Sequence, residues 1–215
     1  MIKKIICLFI VLVSILLLSV SAVENYQPLG NLSYWYSDAD RIYRWDDARI
    51  VVCAEKLNGN GQFYFYNAVD HACSQWTSAL GITIYADEEI ASAPIMIYGG
   101  TAAEISELNI FNDITTQNGA TRRSTADGTD LFGIEGIWTR PDNTEIEGYL
   151  SYGANIYIVD KSRTSNEYMK TATHELGHAL GWSGHSSNPN DVMYRSGSSI
   201  TQLTQRDINH LAQVY

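Results

Sequence analysis

Three histidines and a glutamate within twelve residues are the part of this sequence best suited to chemistry. His174 and His178 lie four positions apart, and Glu175 directly follows the first of them. On an α-helix this spacing places both imidazoles on one face, from which both can reach one metal ion. A carboxylate beside the first ligand can polarise a metal-bound water molecule. The pattern therefore predicts a catalytic zinc site in which Glu175 is the general base.

The third histidine of the motif needs a turn in the chain. A helix that carries His174 and His178 cannot bring His185 back to the same metal ion. Gly181 can adopt the positive φ of a sharp helix exit, and Gly184 eases a second bend. His185 then completes a three-histidine zinc site. The fourth position stays open for water, which is the arrangement of catalytic rather than structural zinc.

Three helices are predicted from capping residues and apolar spacing. A Thr-x-x-Glu capping box opens a helix over 164–180, which carries the two histidines. Apolar residues recur at helical spacing over 69–80 and predict a second helix. A related Thr-x-x-Asp pattern opens a last helix over 204–215. The motif thus falls where independent signals place a helix.

The remaining chain is predicted to form strands and loops. A stretch over 112–130, rich in Thr, Asn, Asp and Gly, is expected to be loop. Within it, the turn at 127–130 offers oxygen ligands for calcium, but a solvated turn is the favoured interpretation. Turn residues at 141–143 predict a hairpin. The predicted strands are 49–54, 82–86, 94–98, 134–140, 144–151 and 154–159.

Composition and charge restrict the classes of protein and partner. With 215 residues, 45% hydrophobic and 18% charged, the chain can bury a real core, and the absence of repeats or linkers favours one domain. The formal net charge of −10 argues against nucleic acid and against anionic lipid as partners. We expect a monomer.

The first 22 residues have the pattern of a secretory signal peptide. Lys3 and Lys4 precede an apolar run over 5–18, and 20–22 then supplies small residues at a cleavage position. An uncleaved membrane anchor is the alternative, but the run is short for a span and no basic cluster follows it. We expect a secreted or cell-envelope protein with no stable membrane association, whose residues 23–44 form a short N-terminal segment.

Two cysteines, Cys53 and Cys73, remain after the predicted cleavage. An exported chain meets oxidising conditions, so the pair can form one disulfide that closes a loop of about 20 residues. Two separate buried thiols are the alternative, because a sequence does not report whether the Cα atoms approach each other.

Several motifs together resemble the metzincin clan of zinc peptidases and, within it, the matrixins. The sequence over 173–181 is similar to the matrixin motif. Gly181 stands three residues after the second histidine, as the conserved glycine of the clan does. Met193, eight residues after His185, resembles the Met-turn methionine. The run over 203–208 resembles the start of the last matrixin helix.

The resemblance implies a fold and a mechanism. The implied fold is α+β, a twisted, mostly parallel sheet with two long helices above a small C-terminal subdomain that ends in a helix. The metallopeptidase domain is 45–215, divided into an upper subdomain (45–181) and a lower one (182–215). The implied activity is that of a secreted zinc endopeptidase that cleaves a protein or peptide substrate with a zinc-bound water. Met193 would form an apolar floor under the metal and would not be a ligand. Residues 154–159 would be the strand at the cleft edge, and 194–200 would wall a substrate pocket.

The sequence also departs from the matrixin pattern. The turn between Gly181 and His185 is one residue longer than usual, which makes Asp191 a competing candidate for the third ligand. The latency segment with its cysteine is absent. No histidine lies between residues 72 and 173, so the loop that holds structural zinc and calcium in animal matrixins has no counterpart, and a calcium requirement has no support in the sequence.

Two rival functions share these features. A secreted binding module could keep a zinc-containing fold without turnover, although such a protein would not need Glu175. Hydrolysis of a non-peptide amide would use the same zinc chemistry. We expect the endopeptidase, because the general base is present beside the predicted ligands.

Overall fold

The computed structural model describes residues 42–57, 64–87, 93–109, 113–123, 133–139, 143, 145–196 and 199–215. The predicted signal peptide at 1–22, nearly all of the segment 23–44 and the turn at 127–130 lie outside the described residues. The strands are β1 (Tyr43–Arg44), β2 (Arg49–Lys56), β3 (Thr83–Ala86), β4 (Ile95–Gly100), β5 (Gly119–Arg122), β6 (Gly133–Thr139), β7 (Glu145–Ser151) and β8 (Ala154–Val159). The helices are α1 (Phe65–Leu80), α2 (Ala102–Glu107), α3 (Ser165–Ala179) and α4 (Gln205–Leu211), followed by a 3-10 helix, Ala212–Val214.

Five strands form a mostly parallel sheet in the order β3-β2-β4-β8-β5. The strands β3, β2, β4 and β8 pair in parallel, and β5 pairs antiparallel with β8 at the edge. Parallel neighbours need a crossover connection, and α1 supplies the one between β2 and β3. The described chain is therefore a mixed α+β domain, as the resemblance implies.

Alternating side chains on the sheet face two hydrophobic clusters. On β8, Ile156 belongs to the large core beneath α1 and α3, whereas Tyr157 belongs to a smaller cluster beneath α2. This is the two-residue period of a strand that is covered on both faces. Trp76 Nε1 on α1 donates a 2.8 Å hydrogen bond to the Thr173 carbonyl on α3, which ties α1 to α3.

The sequence prediction of a loop over 112–130 is wrong for β5. Residues 119–122 pair with residues 155–158 of β8 and close one edge of the described sheet. A four-residue strand that begins with glycine has neither the apolar alternation nor the β-branched content that signals a strand. Pairing with a neighbour distant in the sequence stabilises it instead. The strand β8 is consequently interior and not the cleft edge that the resemblance implied.

A separate three-stranded sheet has the order β1-β7-β6. The antiparallel pairing of β6 with β7 confirms the predicted hairpin, and Asn143 in the connection has a φ of 64°. Ile42 and Trp45 are buried, and Trp45 Nε1 donates a 2.9 Å hydrogen bond to the Ala179 carbonyl. Residues 42–44, which the sequence analysis placed before the domain, are thus part of its fold.

Cys53 and Cys73 are free and buried in the structure, so the disulfide between them that the sequence allowed is not formed there. Cys53 lies on β2 between Val52 and Ala54, whose side chains join the core beneath α1. Because side chains alternate along a strand, Cys53 points to the other face of the sheet. Cys73 faces the core from α1, and burial raises the pKa of its thiol to about 12. The sheet separates the two sulfur atoms.

The last helix is shorter than predicted. The helix α4 ends at Leu211, and the chain continues as the 3-10 helix rather than as an α-helix to residue 215. Tyr215 Oη donates a 2.7 Å hydrogen bond to the Leu180 carbonyl. The end of the chain is therefore fastened to the point at which α3 ends, next to the histidine motif.

Candidate active site

The helix α3 begins where its capping box predicts. Thr164 Oγ1 accepts a hydrogen bond from the Glu167 N–H, and the Glu167 carboxylate accepts one from the Thr164 N–H at 2.9 Å. The helix brings the Nε2 atoms of His174 and His178 to 3.1 Å from each other. Two nitrogens on one tetrahedral zinc ion lie about 3.3 Å apart, given Zn–N bonds of about 2.0–2.1 Å. The pair therefore fits one metal ion.

Backbone hydrogen bonds orient both rings. His174 Nδ1 lies 2.8 Å from the Val192 carbonyl oxygen, and His178 Nδ1 lies 2.7 Å from that of Trp182. A carbonyl only accepts, so each Nδ1 carries the proton and donates it. The lone pair is then on Nε2, which is the atom that each ring presents to its neighbour. Histidines that bind a metal typically donate the other ring N–H to a carbonyl in this way.

The chain turns after α3 and brings His185 to the other two rings. Gly181 has a φ of 126° and Gly184 a φ of 83°, as the sequence predicts for two bends. The ring of His185 is centred 5.1 Å from that of His174 and 5.0 Å from that of His178. Each of the three residues offers a ligand nitrogen, and these atoms lie within 4.8 Å of one another.

A residue that the sequence analysis missed supports the lengthened turn. Arg123 Nη1 donates a 2.8 Å hydrogen bond to the His178 carbonyl, and Nη2 donates a 2.9 Å bond to Ser183 Oγ. The guanidinium also lies 4.0 Å from the centre of the Tyr43 ring. Burial lowers the pKa of Arg123 to about 10, so it remains charged at neutral pH. Arg123 thus fixes both ends of the segment that precedes His185.

All three imidazoles are held in the neutral form that metals bind. Burial is the main cause in each case. It lowers the pKa of His178 to about 3 and the pKa of His174 well below its usual range. For His185 the nearby charges of Lys170 and Arg195 lower the pKa further. The donor set is three neutral nitrogens, which suits zinc and leaves a position for water.

Glu175 lines the same two pockets as the three histidines and is buried, with 6% of the residue exposed. Burial raises its pKa to about 7, although a hydrogen bond from Thr121 and the charge of Lys170 oppose the rise. Thr121 Oγ1 lies 2.8 Å from Glu175 Oε2 and donates to it. Thr121 is on β5, so a partner 54 positions away in the sequence holds the predicted base.

Met193 is fully buried and packs against Gly177, a residue that lies between His174 and His178 in the sequence of α3. The Asp207 carboxylate accepts hydrogen bonds from the N–H groups of Val192 and Met193 at 3.0 and 3.2 Å. The sequence analysis assigned Asp207 only as a helix cap. The same carboxylate therefore caps α4 and fixes the methionine turn beneath the histidines.

Asp191, the competing candidate for the third ligand, is fully buried among other partners. Arg206 Nε and Nη2 donate to its two oxygens at 2.6 and 3.0 Å, and Thr204 Oγ1 donates at 2.8 Å. Burial alone would raise the pKa of Asp191, but hydrogen bonds from Arg206, Ser186 and Thr204 outweigh it and lower the pKa. Its oxygens are thus engaged in the turn, which leaves His185 as the third histidine of the cluster.

We expect Gly181→Ala to destabilise the fold more than Gly81→Ala. Both glycines have positive φ, but a Cβ on Gly181 would overlap the carbonyl oxygen of Tyr43, whereas nothing lies within 4 Å of a Cβ on Gly81. Backbone strain alone costs about 1–2 kcal/mol, and the collision adds at least about 1 kcal/mol. Urea unfolding of both variants measures the difference. Equal losses of unfolding free energy would show that the contact with Tyr43 is unimportant.

Comparison with known proteins identifies the family of this chain. The family model described as Matrixin matches residues 55–215, which is more than half of the chain. The chain therefore belongs to the matrixin family, as the sequence motifs predict. Matrilysin from Homo sapiens is 45% identical to it over 60 residues. That match spans 26% of this chain and 22% of the human protein.

Proposed function

We propose that this protein is a secreted zinc endopeptidase that hydrolyses internal peptide bonds. His174, His178 and His185 would hold the zinc ion, and Glu175 would be the general base. The observation that carries the proposal is the convergence of three neutral imidazoles beside one buried carboxylate at an open cleft. Membership of the matrixin family favours peptides over other amides as substrates.

The residues divide the chemistry between them. When bound, zinc supplies a Lewis acid that lowers the pKa of a water molecule and polarises the scissile carbonyl. Glu175 accepts a proton from the attacking water and delivers it to the leaving amine. Burial raises the pKa of Glu175 towards neutral pH, and a general acid–base group works best when its pKa lies near the working pH. Thr121 keeps the carboxylate oriented between the two transfers.

An extended peptide can bind along β5. This strand is an edge of the described sheet, where an extended substrate could add as a further strand. Two pockets flank the histidines, and Gln117 and Gly119 line both of them. Lys170 and Arg195 line one pocket, whereas Arg123 lines the other. A peptide on β5 would place side chains in both pockets.

The finer arrangement of the fold is also a proposal. The helices α1 and α3, with 16 and 15 residues, contribute to one core beneath the sheet and match the two long helices that the resemblance implies. The chain after Gly181 carries the third ligand, Met193 as an apolar floor and α4, which together correspond to the lower subdomain. The buried position of Met193 supports its assignment as a packing residue and not a ligand.

Secretion is inferred from the sequence pattern of residues 1–22 and from the family. Across the ranges that the structure describes, no helix combines the length and apolar character needed to cross a bilayer. Amino-terminal sequencing of the protein recovered from the medium of expressing cells tests the prediction. A new terminus at residue 23 supports it, and retention of residues 1–22 contradicts it.

Peptide hydrolysis is tested with a peptide mixture and the purified protein. We expect new peptide termini at internal bonds, detected by mass spectrometry, and their loss when a zinc chelator is present. A zinc-containing binding module would bind about one zinc per chain and produce no new termini. Cleavage that persists fully in chelator would contradict the role of the metal.

A further inference from the structure

The pocket beside His174 and Glu175 is lined by two cations. Lys170 reaches it from α3, one helical turn before His174, and Arg195 reaches it from the loop after Met193. Polar groups of Gln117 and Asn118 complete much of the remaining lining. Two basic side chains in one pocket are notable in a chain whose formal net charge is −10. The pocket therefore has a charge opposite to that of the whole protein.

Lys170 is buried, with only 4% of the residue exposed. Its Nζ donates to the carbonyl oxygens of Tyr194 and Ser196 at 2.8 and 3.0 Å. An ammonium group has three N–H donors, so these bonds leave one donor for another acceptor. Burial lowers the pKa of Lys170 to about 8, which still leaves it mostly protonated at neutral pH. The positive charge is thus held at the pocket wall by the loop that carries Arg195.

Lys170 and Arg195 make no ion pair with a carboxylate of the described residues. Glu175 lines the same pocket, but its carboxylate bonds to Thr121 and is assigned to proton transfer. The charges of Glu175 and Asp207 stabilise the ammonium group of Lys170 in part, but burial still outweighs them. A buried cation that makes no direct ion pair is costly, and a ligand carboxylate that enters the pocket offsets that cost. An apolar ligand side chain would instead remove remaining water from Lys170 and supply no acceptor.

We propose that this pocket selects peptide substrates with a glutamate or aspartate next to the scissile bond. The inference rests on the proposed endopeptidase function and names the substrate class of that site. The substrate carboxylate accepts a charge-assisted hydrogen bond from Lys170 Nζ at the wall, and Arg195 attracts it from the exposed rim. Charge-assisted bonds exceed neutral ones by about 1–1.5 kcal/mol, which gives a preference of about tenfold over the neutral amide.

Matched peptides test the proposal with the zinc-loaded protein. A library with every residue type at each position locates the cleaved bond and the favoured flanking residues. Peptides with Glu, Gln or Leu at the flanking position then give kcat/KM for each. We expect Glu to exceed Gln by about tenfold or more, and the ratio to fall as salt is raised, because the rim charge is screened. A preference for Leu over Glu would overturn the proposal.

Substitutions assign the preference to the two cations. In Lys170→Met the Glu-to-Gln ratio should fall towards one, whereas Lys170→Arg should retain a preference above fivefold. Arg195→Gln changes an exposed side chain and should lower the ratio about threefold, so it tests the proposal even if Lys170→Met does not fold. Arg49→Gln removes the same charge from β2, outside the pocket, and should leave the ratio unchanged. An unchanged ratio in both Lys170→Met and Arg195→Gln would contradict the proposal.

The same experiment separates the two levels of inference. If the protein carries about one zinc per chain and cleaves no peptide of the library, the endopeptidase function itself is wrong. If it cleaves peptides without an acidic preference, only the assignment of this pocket is wrong.

Discussion

Replacing Glu175 by glutamine should abolish nearly all peptide hydrolysis and leave zinc bound. The amide keeps the shape of the side chain and can still accept a hydrogen bond from Thr121. It cannot take a proton from water, however, and general-base catalysis contributes about a hundredfold to ten-thousandfold. Steady-state kinetics with a cleavable peptide measures the loss, and metal analysis of the same sample measures the zinc content.

Glu167→Gln is the matched control for this change. Glu167 lies on the same helix and makes the capping box with Thr164, which a glutamine side chain can also form. We expect activity and zinc content close to those of the unchanged protein. Activity of Glu175→Gln within threefold of the unchanged protein would mean that another group accepts the proton.

His185→Ala and Asp191→Asn should have opposite effects on zinc. The alanine variant loses one of three ligand nitrogens, and we expect its zinc affinity to fall at least about a hundredfold. Competition with a chromophoric chelator measures this affinity. In Asp191→Asn all three histidines remain, so zinc should bind with little change.

Asp191→Asn should instead lower the free energy of unfolding. Its carboxylate accepts two bonds from Arg206, and the asparagine cannot match the charge of that pair. Arg206 is partly exposed, so we expect a loss of about 1–3 kcal/mol in the free energy of unfolding rather than the full cost of an unpaired buried charge. If zinc binding instead survives in His185→Ala and fails in Asp191→Asn, the third ligand is misassigned.

Local signals in the sequence were sufficient for the central helix and its motif. The capping boxes at Thr164 and Thr204 and the spacing of His174 and His178 depend on atoms within one or two helical turns. Gly181 is similar, because a positive φ is a property of the residue itself. These features are therefore visible in a sequence without knowledge of the rest of the fold.

The hydrogen bonds that hold the histidine motif in place join parts of the chain that are distant in the sequence. The strand β5 carries too few strand-forming residues to be recognised, yet it supplies Thr121 to Glu175 and an edge beside the cleft. Arg123, two residues later, fastens the lengthened turn through Ser183. Periodicity and propensity describe neighbours along the chain, so neither contact has a sequence signal.

Cys53 and Cys73 show that a sequence pattern can also suggest a contact that the fold does not make. The separation of Cys53 and Cys73 permits a disulfide, and the secretory pattern favours one. Only the alternation of β2 and the packing of α1 place their sulfur atoms on opposite sides of one sheet. A residue pattern can thus propose a pair, but the tertiary fold decides whether the two side chains meet.

The most direct test of the central claim is a zinc titration of metal-free protein with peptide cleavage as the readout. The protein is stripped with chelator, zinc is added back in steps, and bound metal and cleavage rate are measured in each sample. We expect the rate to rise in proportion to bound zinc and to level off at about one zinc per chain, as a single three-histidine site requires. Full activity in the metal-free protein, or full zinc occupancy without cleavage, would contradict the assignment of a zinc endopeptidase.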